Sequence, residues 1–294
     1  MTCLHPLTGL GSQITRFAPS PTGALHLGHA ASALLAARAA GEGGRFVLRI
    51  EDIDPQRCRP AFETALFEDL RWLGLRWAEP VRRQSEHWAD YRATLEALAT
   101  RGLLYPCFCS RAQVADTLAA LSAPHRAPDG SARYPGTCRT LSAPVRSARI
   151  ASGAPYVLRL DMMAALDLLG GEPAWEEIAV GRVQGAAAAF GDVVLARRDV
   201  PASYHLCVTH DDALAGITLV TRGVDLRPAT AVHRVLQDLM GWPRPRYWHH
   251  SLACDAQGRR LAKRDGALGI GTLRRDGCDP RVVAEQALSL IGCG

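Results

Sequence analysis

Residues 13–54 constrain the fold most. Gln13 to Phe17 (QITRF) has the pattern of a short strand, and the turn Pro19-Ser20-Pro21-Thr22-Gly23 follows. A helix is predicted from about Leu25 to Ala40, ended by Gly41 to Gly44. Arg45 to Ile50 (RFVLRI) then alternates polar and apolar residues and closes on Glu51-Asp52-Ile53-Asp54. A strand, a helix and a second strand of this size make a parallel pair with a crossover helix, so an α/β architecture is expected. Ligands on such sheets sit beyond the C-terminal ends of the strands. Both the Pro/Gly turn and the acidic cluster fall there.

Beyond this unit, Ala61 to Leu73 predicts an amphipathic helix, with Phe62, Ala65, Leu66, Leu70 and Leu73 on one side. A helix is expected from about His87 to Thr100 and a strand from Leu103 to Cys107. The composition then changes. Residues 107–155 are rich in Cys, Pro, Gly, Ser and Arg, with one helical stretch near Ala112 to Leu121. This reads as an insertion between the halves of a sheet, with strands at Tyr156 to Asp161 and Asp192 to Arg197. From Tyr204 the alternation of apolar runs and helices resumes. Strands are expected at Ile217 to Arg222 and Tyr247 to Leu252, and helices at Ala229 to Met240 and Pro280 to Ile291. The expected organisation is therefore 1–106 for the first half of the sheet domain, 107–200 for the insertion, 201–252 for the second half, and 253–294 for a loop and short helical tail.

At 294 residues the chain is long enough for one large domain with an insertion, or for two domains. No apolar run approaches the roughly 20 residues needed to span a bilayer. Residues 1–12 lack the basic and apolar regions of a signal peptide. Nine cysteines, an odd and scattered number, argue against a disulfide framework. A reducing, cytoplasmic setting is the expectation. The formal charge of +5, carried almost wholly by Arg, permits nucleic-acid binding without requiring it.

His26 and His29 lie three apart at the start of the first helix, with Gly28 between them, and share one face of its first turn. A helix N-terminus suits an anion such as phosphate. Alone, this spacing does not separate a phosphate site from a capped core helix. There is no G-x-x-x-x-G-K-[ST] loop and no G-x-G-x-x-G after a strand, which weighs against P-loop enzymes and ordinary dehydrogenases. A second basic element, Arg259-Arg260-Leu261-Ala262-Lys263-Arg264-Asp265-Gly266, follows the last strand. Most such runs are solvated charge.

Taken together, PSPTGALHLGH and RLAKRD resemble the HIGH and KMSKS signatures of class I aminoacyl-tRNA synthetases. RFAPSPTG-x-LHLGH followed by RIEDID is similar to the glutamyl branch in particular. The motifs occur in the family's order and span residues 16 to about 270. The resemblance implies a Rossmann-like, parallel-sheet class I catalytic domain with an inserted zinc-binding subdomain. A discriminating glutamyl-tRNA synthetase continues past the second motif into an anticodon-binding domain, whereas here only about thirty residues follow. The chain therefore resembles the truncated glutamyl-queuosine tRNA(Asp) synthetases, with no anticodon-binding domain expected. That family activates L-glutamate with ATP without needing tRNA, then transfers it to the queuosine base in the anticodon of tRNA(Asp).

By this resemblance, His26 and His29 contact the ATP phosphates, and Gly28 lets adenine approach the backbone. Pro19, Leu261 and Lys263 complete the nucleotide site, Lys263 stabilising the leaving pyrophosphate. ATP is implied as its magnesium complex. Ala262 replaces the family's usual Ser. Glutamate, with two carboxylates and one ammonium, calls for Arg forks and one acid. The resemblance assigns this pocket to Arg16, Phe17, Ala18, Pro19, Ser20, Glu51, Tyr204 and Arg222. Singly, Arg16 and Arg222 read equally well as structural ion pairs, Glu51 as a solvated strand-end acid and Tyr204 as an interface residue.

Cys107, Cys109 and Cys138 supply three thiolates for a tetrahedral structural zinc. C-x-C is not ordinary zinc-finger spacing, and three unliganded thiols is the alternative. His125 is the fourth ligand that residue chemistry suggests; the family pattern C-x-C…Y-x-x-x-C implies Tyr134. Anticodon docking would draw on phosphate contacts, with Arg197, Arg198, Arg274 and Arg275 as candidates, and on a splayed-out base. A monomer acting away from membranes is expected. The alternatives are a catalytic fragment that charges a tRNA 3′ end, and a non-catalytic tRNA-binding paralogue.

Overall fold

The computed structural model describes residues 7, 9–120, 126–178, 180–197, 200–254 and 269–291. Its first unit is β1 (Ile14–Phe17), α1 (Leu27–Ala39) and β2 (Arg45–Ile50). The two strands pair in parallel, from Ile14 opposite Arg45 to Phe17 opposite Leu48, as the sequence pattern requires. Helix α1 buries Ala30, Ala31, Ala33, Leu34, Leu35, Ala36 and Ala39. An apolar surface all round suits a helix covered on both sides, and α1 lies between the sheet and the C-terminal helix.

The chain continues through α2 (Pro60–Trp72), β3 (Ala78–Arg83), α3 (Trp88–Thr100), β4 (Leu104–Cys107), α4 (Arg111–Ala119), α5 (Ala143–Ala151), β5 (Val157–Leu160) and α6 (Met162–Leu169). Then come β6 (Ala174–Glu177), β7 (Gly181–Gln184), β8 (Val194–Ala196), α7 (Tyr204–Leu214), β9 (Leu219–Gly223), α8 (Thr230–Met240), β10 (Arg246–His250), α9 (Ile270–Arg275) and α10 (Pro280–Ser289). No helix among the described residues is long and apolar enough to cross a membrane.

Strands β1, β2 and β3 form one sheet, and β7, β6, β10 and β9 form a second. β10 runs parallel to both β9 and β6. The hairpin β6–β7, within the stretch 107–200, thus extends the sheet of the C-terminal half. A small antiparallel sheet, β4-β5-β8, joins β4, at the start of this stretch, to β5 and β8 within it. The edges of β1 and β9 meet at their N-terminal ends, where Thr218 N–H donates to Ile14 O at 2.9 Å. Farther along, the bridge is made by a side chain: Arg16 Nη1 donates to Thr221 O at 3.0 Å. β1 leads through α1 to β2 on one side while β9 lies on the other, so the C-terminal ends of β1 and β9 open a crevice at a topological switch point.

Candidate active site and metal cluster

A cleft of about 730 Å³ occupies this crevice, within the range of small-molecule sites. Arg16, Phe17, Ala18, Ser20, His26, Gly28, His29, Glu51, Tyr204 and Arg222 all line it. Pro19 is buried behind the wall, and its carbonyl accepts from Glu51 N–H at 3.0 Å. Leu261, Ala262 and Lys263 lie outside the described residues. Of the described residues on either side, Ala253 lines the cleft and Gly269 bridges to His26.

His26 caps α1. Its Nδ1 accepts from Gly28 N–H at 3.1 Å, while its own backbone N–H donates to His29 Nδ1 at 3.2 Å. With both Nδ1 atoms accepting, each neutral ring carries its proton on Nε2. The two rings lie 3.8 Å apart, centroid to centroid. A Cβ at residue 28 would sit 3.0 Å from His26 Cε1 and 3.3 Å from Ala253 Cβ. Glycine here therefore protects the cap as well as leaving room for a ligand.

Arg16 is 6% exposed, and its Nε donates to Asp212 at 3.1 and 3.3 Å. Arg49 Nη1 reaches the same carboxylate at 2.6 Å, and Arg49 Nη2 reaches Glu51 Oε1 at 3.0 Å. Burial pushes Asp212 upward, but Arg16 and Arg49 together hold it below the ordinary aspartate value. Glu51 goes the other way: burial raises its pKa against the pull of Arg49. Behind this row, Asp211 accepts from Arg82, Gln84 and Tyr91, each at 2.9 Å. Burial opposes its charge, yet its partners bring it to about 2. The sequence reading missed Arg49, Asp211 and Asp212. The signal was the acid pair in the helix YHLCVTHDDAL, next to the apolar run Leu206-Cys207-Val208, where charge survives burial only if paired.

Arg222 is also 6% exposed, but its surroundings differ. Its donors go to His249 Nε2 at 3.1 Å, His233 Nδ1 at 3.1 Å and Thr230 Oγ1 at 2.7 Å. Tyr204, the first residue of α7, packs beside His205 and His233 with ring centroids 5.7 and 5.8 Å away. Burial raises the pKa of its phenol.

Of the cations suggested for tRNA contact, Arg274 is paired with Glu68 at 2.7 Å and Asp69 at 3.2 Å, so its charge is locally satisfied. Arg275 bonds Thr272 at 3.2 Å. Arg197 is exposed, and Arg198 lies outside the described residues.

Away from the cleft, the sulfurs of Cys107, Cys109 and Cys138 lie within 4.8 Å of one another. Cys109 Sγ is 3.5 Å from Cys138 Sγ and 3.6 Å from Tyr134 Oη. Four such ligands around one zinc ion stand about 3.8 Å apart sulfur to sulfur and about 3.5 Å sulfur to oxygen. The spacing fits, and the cluster could hold a metal ion. Burial raises the Cys109 thiol to about 11 and raises the Tyr134 phenol; a bound cation reverses both preferences. His125 lies outside the described residues. The other described cysteines are free thiols.

Residues 13–294 match the family model described as tRNA synthetases class I (E and Q), catalytic domain. A Rhodobacter capsulatus protein named Glutamyl-Q tRNA(Asp) synthetase is 50% identical over 280 residues, covering 91% of this chain and 96% of the relative. One of the same name from Symbiobacterium thermophilum is 42% identical, covering 94% of this chain and 86% of the relative. Among solved structures, a glutamate tRNA ligase from Elizabethkingia meningosepticum in complex with its amino acid superposes with a TM-score of 0.72 at 31% identity. That match covers 87% of this chain and 52% of the ligase, so the chain spans about half of that structure.

Proposed function

We propose a function from the premise that this chain belongs to the class I tRNA synthetases of the E and Q catalytic type. It is a ligase that activates L-glutamate with ATP and transfers the glutamyl group to the queuosine base of tRNA(Asp). Activation is attack of the glutamate α-carboxylate on the α-phosphorus of ATP. A P–O bond forms to give glutamyl-adenylate, and the bond to the β-phosphate oxygen breaks to release pyrophosphate. The acceptor then attacks the glutamyl carbonyl carbon and expels AMP. Negative charge builds on the phosphate oxygens, so positioning and electrostatic stabilisation carry the rate.

Arg222 is the observation that carries this reading. It is a buried cation facing a ligand cleft, and among the described residues no carboxylate pairs with it. An unpaired buried charge is unfavourable until an anion arrives, and the side-chain carboxylate of glutamate is such an anion. Glu51 suits the ammonium, with Arg49 at its back. Arg16 keeps donors spare beyond those bound to Asp212 and Thr221, and with Ser20 it suits the α-carboxylate. Phe17, Ala18, Pro19 and Tyr204 shape the remaining wall. The α1 N-terminus with His26 and His29 suits the phosphates, beside Gly28 and Pro19 for the nucleoside. Leu261 and Lys263 would complete the ATP site from the adjoining segment; Lys263 is the only lysine in the sequence. ATP enters as its magnesium complex.

Cys107, Cys109, Cys138 and Tyr134 would hold one structural zinc ion, which fastens the insertion without entering the chemistry. The reaction is set in the cytoplasm, in a chain acting as a monomer.

Glutamate-dependent pyrophosphate exchange without tRNA tests the first half-reaction, and its absence under all conditions would end the enzymatic reading. Transfer of radiolabelled glutamate tests the second. It should go to tRNA(Asp) carrying queuosine and fail on tRNA(Asp) lacking it. Equal labelling of both, or labelling of tRNA(Glu) alone, would overturn the acceptor assignment.

A further inference from the structure

We propose that His249, His233 and Thr230 are positioning residues that set specificity for an anionic substrate side chain, because they hold Arg222 with neutral lone pairs only. The proposal rests on glutamate as the ligand of the cleft and adds what makes the cleft refuse a neutral isostere.

A guanidinium has five N–H donors. Three are engaged: Nε by His249, one on Nη1 by His233 and one on Nη2 by Thr230. One N–H is left on each terminal nitrogen, the pair that grips a single carboxylate through both oxygens. The three partners fix the plane of the group without neutralising it.

The neighbours dictate which nitrogen of each ring presents its lone pair. His249 lies opposite Arg222 in the parallel register of β9 and β10, so the two share a face of the sheet. Glu177 at the end of β6 accepts from His249 N–H and from His249 Nδ1, both at 2.8 Å. That pins the ring proton on Nδ1 and leaves the Nε2 lone pair for Arg222. On the other side, His233 Nε2 lies 3.2 Å from His205 Nδ1. Arg222 can only donate, so His233 Nδ1 accepts and the proton of the neutral ring sits on Nε2, facing His205. Burial lowers the pKa of His205, His233 and His249, with the Arg222 charge adding to it, against the opposing pull of Asp129 on His205 and of Glu177 on His249, so all three rings are neutral near neutral pH.

Glu177 thus supplies a negative charge near Arg222 but separated from it by one imidazole. Its own oxygens are taken by His249 and by Trp175 Nε1 at 3.0 Å. If a carboxylate stood where His249 stands, Arg222 would be neutralised within the protein. The cleft would then accept glutamine about as readily as glutamate.

Isothermal titration of the full-length protein with L-glutamate, L-glutamine and ATP tests this, with thermal melts to establish folding. The unsubstituted protein should bind glutamate at least tenfold more tightly than glutamine. His249→Gln should weaken glutamate about 10- to 100-fold and leave ATP within about threefold. His249→Glu should bring the two amino acids to within about threefold of each other. Should that variant fail to fold, Thr230→Val carries the test, because it removes one acceptor at nearly constant volume. It should weaken glutamate several-fold with ATP unchanged. A folded His249→Glu protein that still prefers glutamate overturns the proposal. So does loss of glutamate and ATP binding in parallel in His249→Gln and Thr230→Val, which would mark a merely structural role. Selective glutamate binding without pyrophosphate exchange would sink the synthetase reading and leave this one standing.

Discussion

Replacing Glu51 by Gln should reduce activity while leaving stability unchanged or slightly raised. The carboxylate is two residues beyond Arg49 and accepts one bond from it, Nη2 to Oε1 at 3.0 Å. The amide of Glu51→Gln would keep that acceptor oxygen, and Arg49 would keep Asp212 at 2.6 Å. The charge is what goes. Burial raises the Glu51 pKa, so holding the ionised form in the native state is unfavourable. A raised folded pKa contributes stability below the unfolded value that is lost as pH rises through the folded one. The melting temperature of Glu51→Gln should therefore equal that of the parent in acid and match or exceed it near neutral pH. Substrate binding should respond oppositely. A charge-assisted hydrogen bond contributes roughly 1.5–3 kcal/mol, so kcat/KM for glutamate in pyrophosphate exchange should fall about 10- to 150-fold, with KM for ATP little changed. A melting temperature several degrees lower at neutral pH, or an unchanged KM for glutamate, would refute the reasoning.

Asp212→Asn leaves Arg16 without its buried counter-charge and takes from Arg49 one of its carboxylate partners, at about 3–5 kcal/mol. The melting temperature should drop by about 6–10 °C at roughly 2 °C per kcal/mol. Because Asp212 is held below the ordinary aspartate value, its contribution is present above that value and is lost as pH falls through the folded one; the gap between the two proteins should narrow in acid melts. Lys263→Ala should reduce exchange at least 100-fold with an unaltered melt, and periodate-oxidised ATP should label the parent at this single lysine, with ATP protecting it. Peptide mapping that found the label only at the N-terminal amine would contradict this. Elemental analysis should find about one zinc per chain, and Cys138→Ala should lose it with a melt several degrees lower. Glutamate affinity should survive, since the cysteines belong to a separate apolar cluster from those under the cleft.

The strand–turn–helix–strand unit is legible because local pattern and tertiary role agree there. Its turn residues, Ala-rich helix and alternating second strand each point to one structure. β3 is not legible, because AEPVRR has a proline and little alternation, and only its place beside β2 makes it a strand. β6 and β7 are likewise recruited by β10 from a stretch read as insertion. At the site, residues adjacent in sequence could be grouped by motif, as His26, Gly28 and His29 were. The shell of Arg222 could not. His233 is eleven positions away and His249 twenty-seven, and their meeting depends on the β9–β10 register and on where α8 docks. Nor could Asp212 be assigned, since its role exists only once Arg16 and Arg49 arrive from two different strands.

The two buried arginines of the cleft have equal exposure and opposite electrostatics, and in the function proposed above that contrast divides their work. Arg16 is balanced by Asp212, so it presents oriented donors with little net field; it can hold a carboxylate in line for attack without gripping it strongly. Among the described residues no carboxylate pairs with Arg222, and Glu177 reaches it only across an imidazole. Its field is therefore intact, and its ligand must bring the missing charge. A single electrostatic strategy applied to both would fail. Two unbalanced arginines would bind glutamate too tightly to release an adenylate, and two balanced ones would not distinguish it from glutamine. Dividing the tasks places discrimination at the far end of the substrate and reactivity at the end facing α1 and the phosphates.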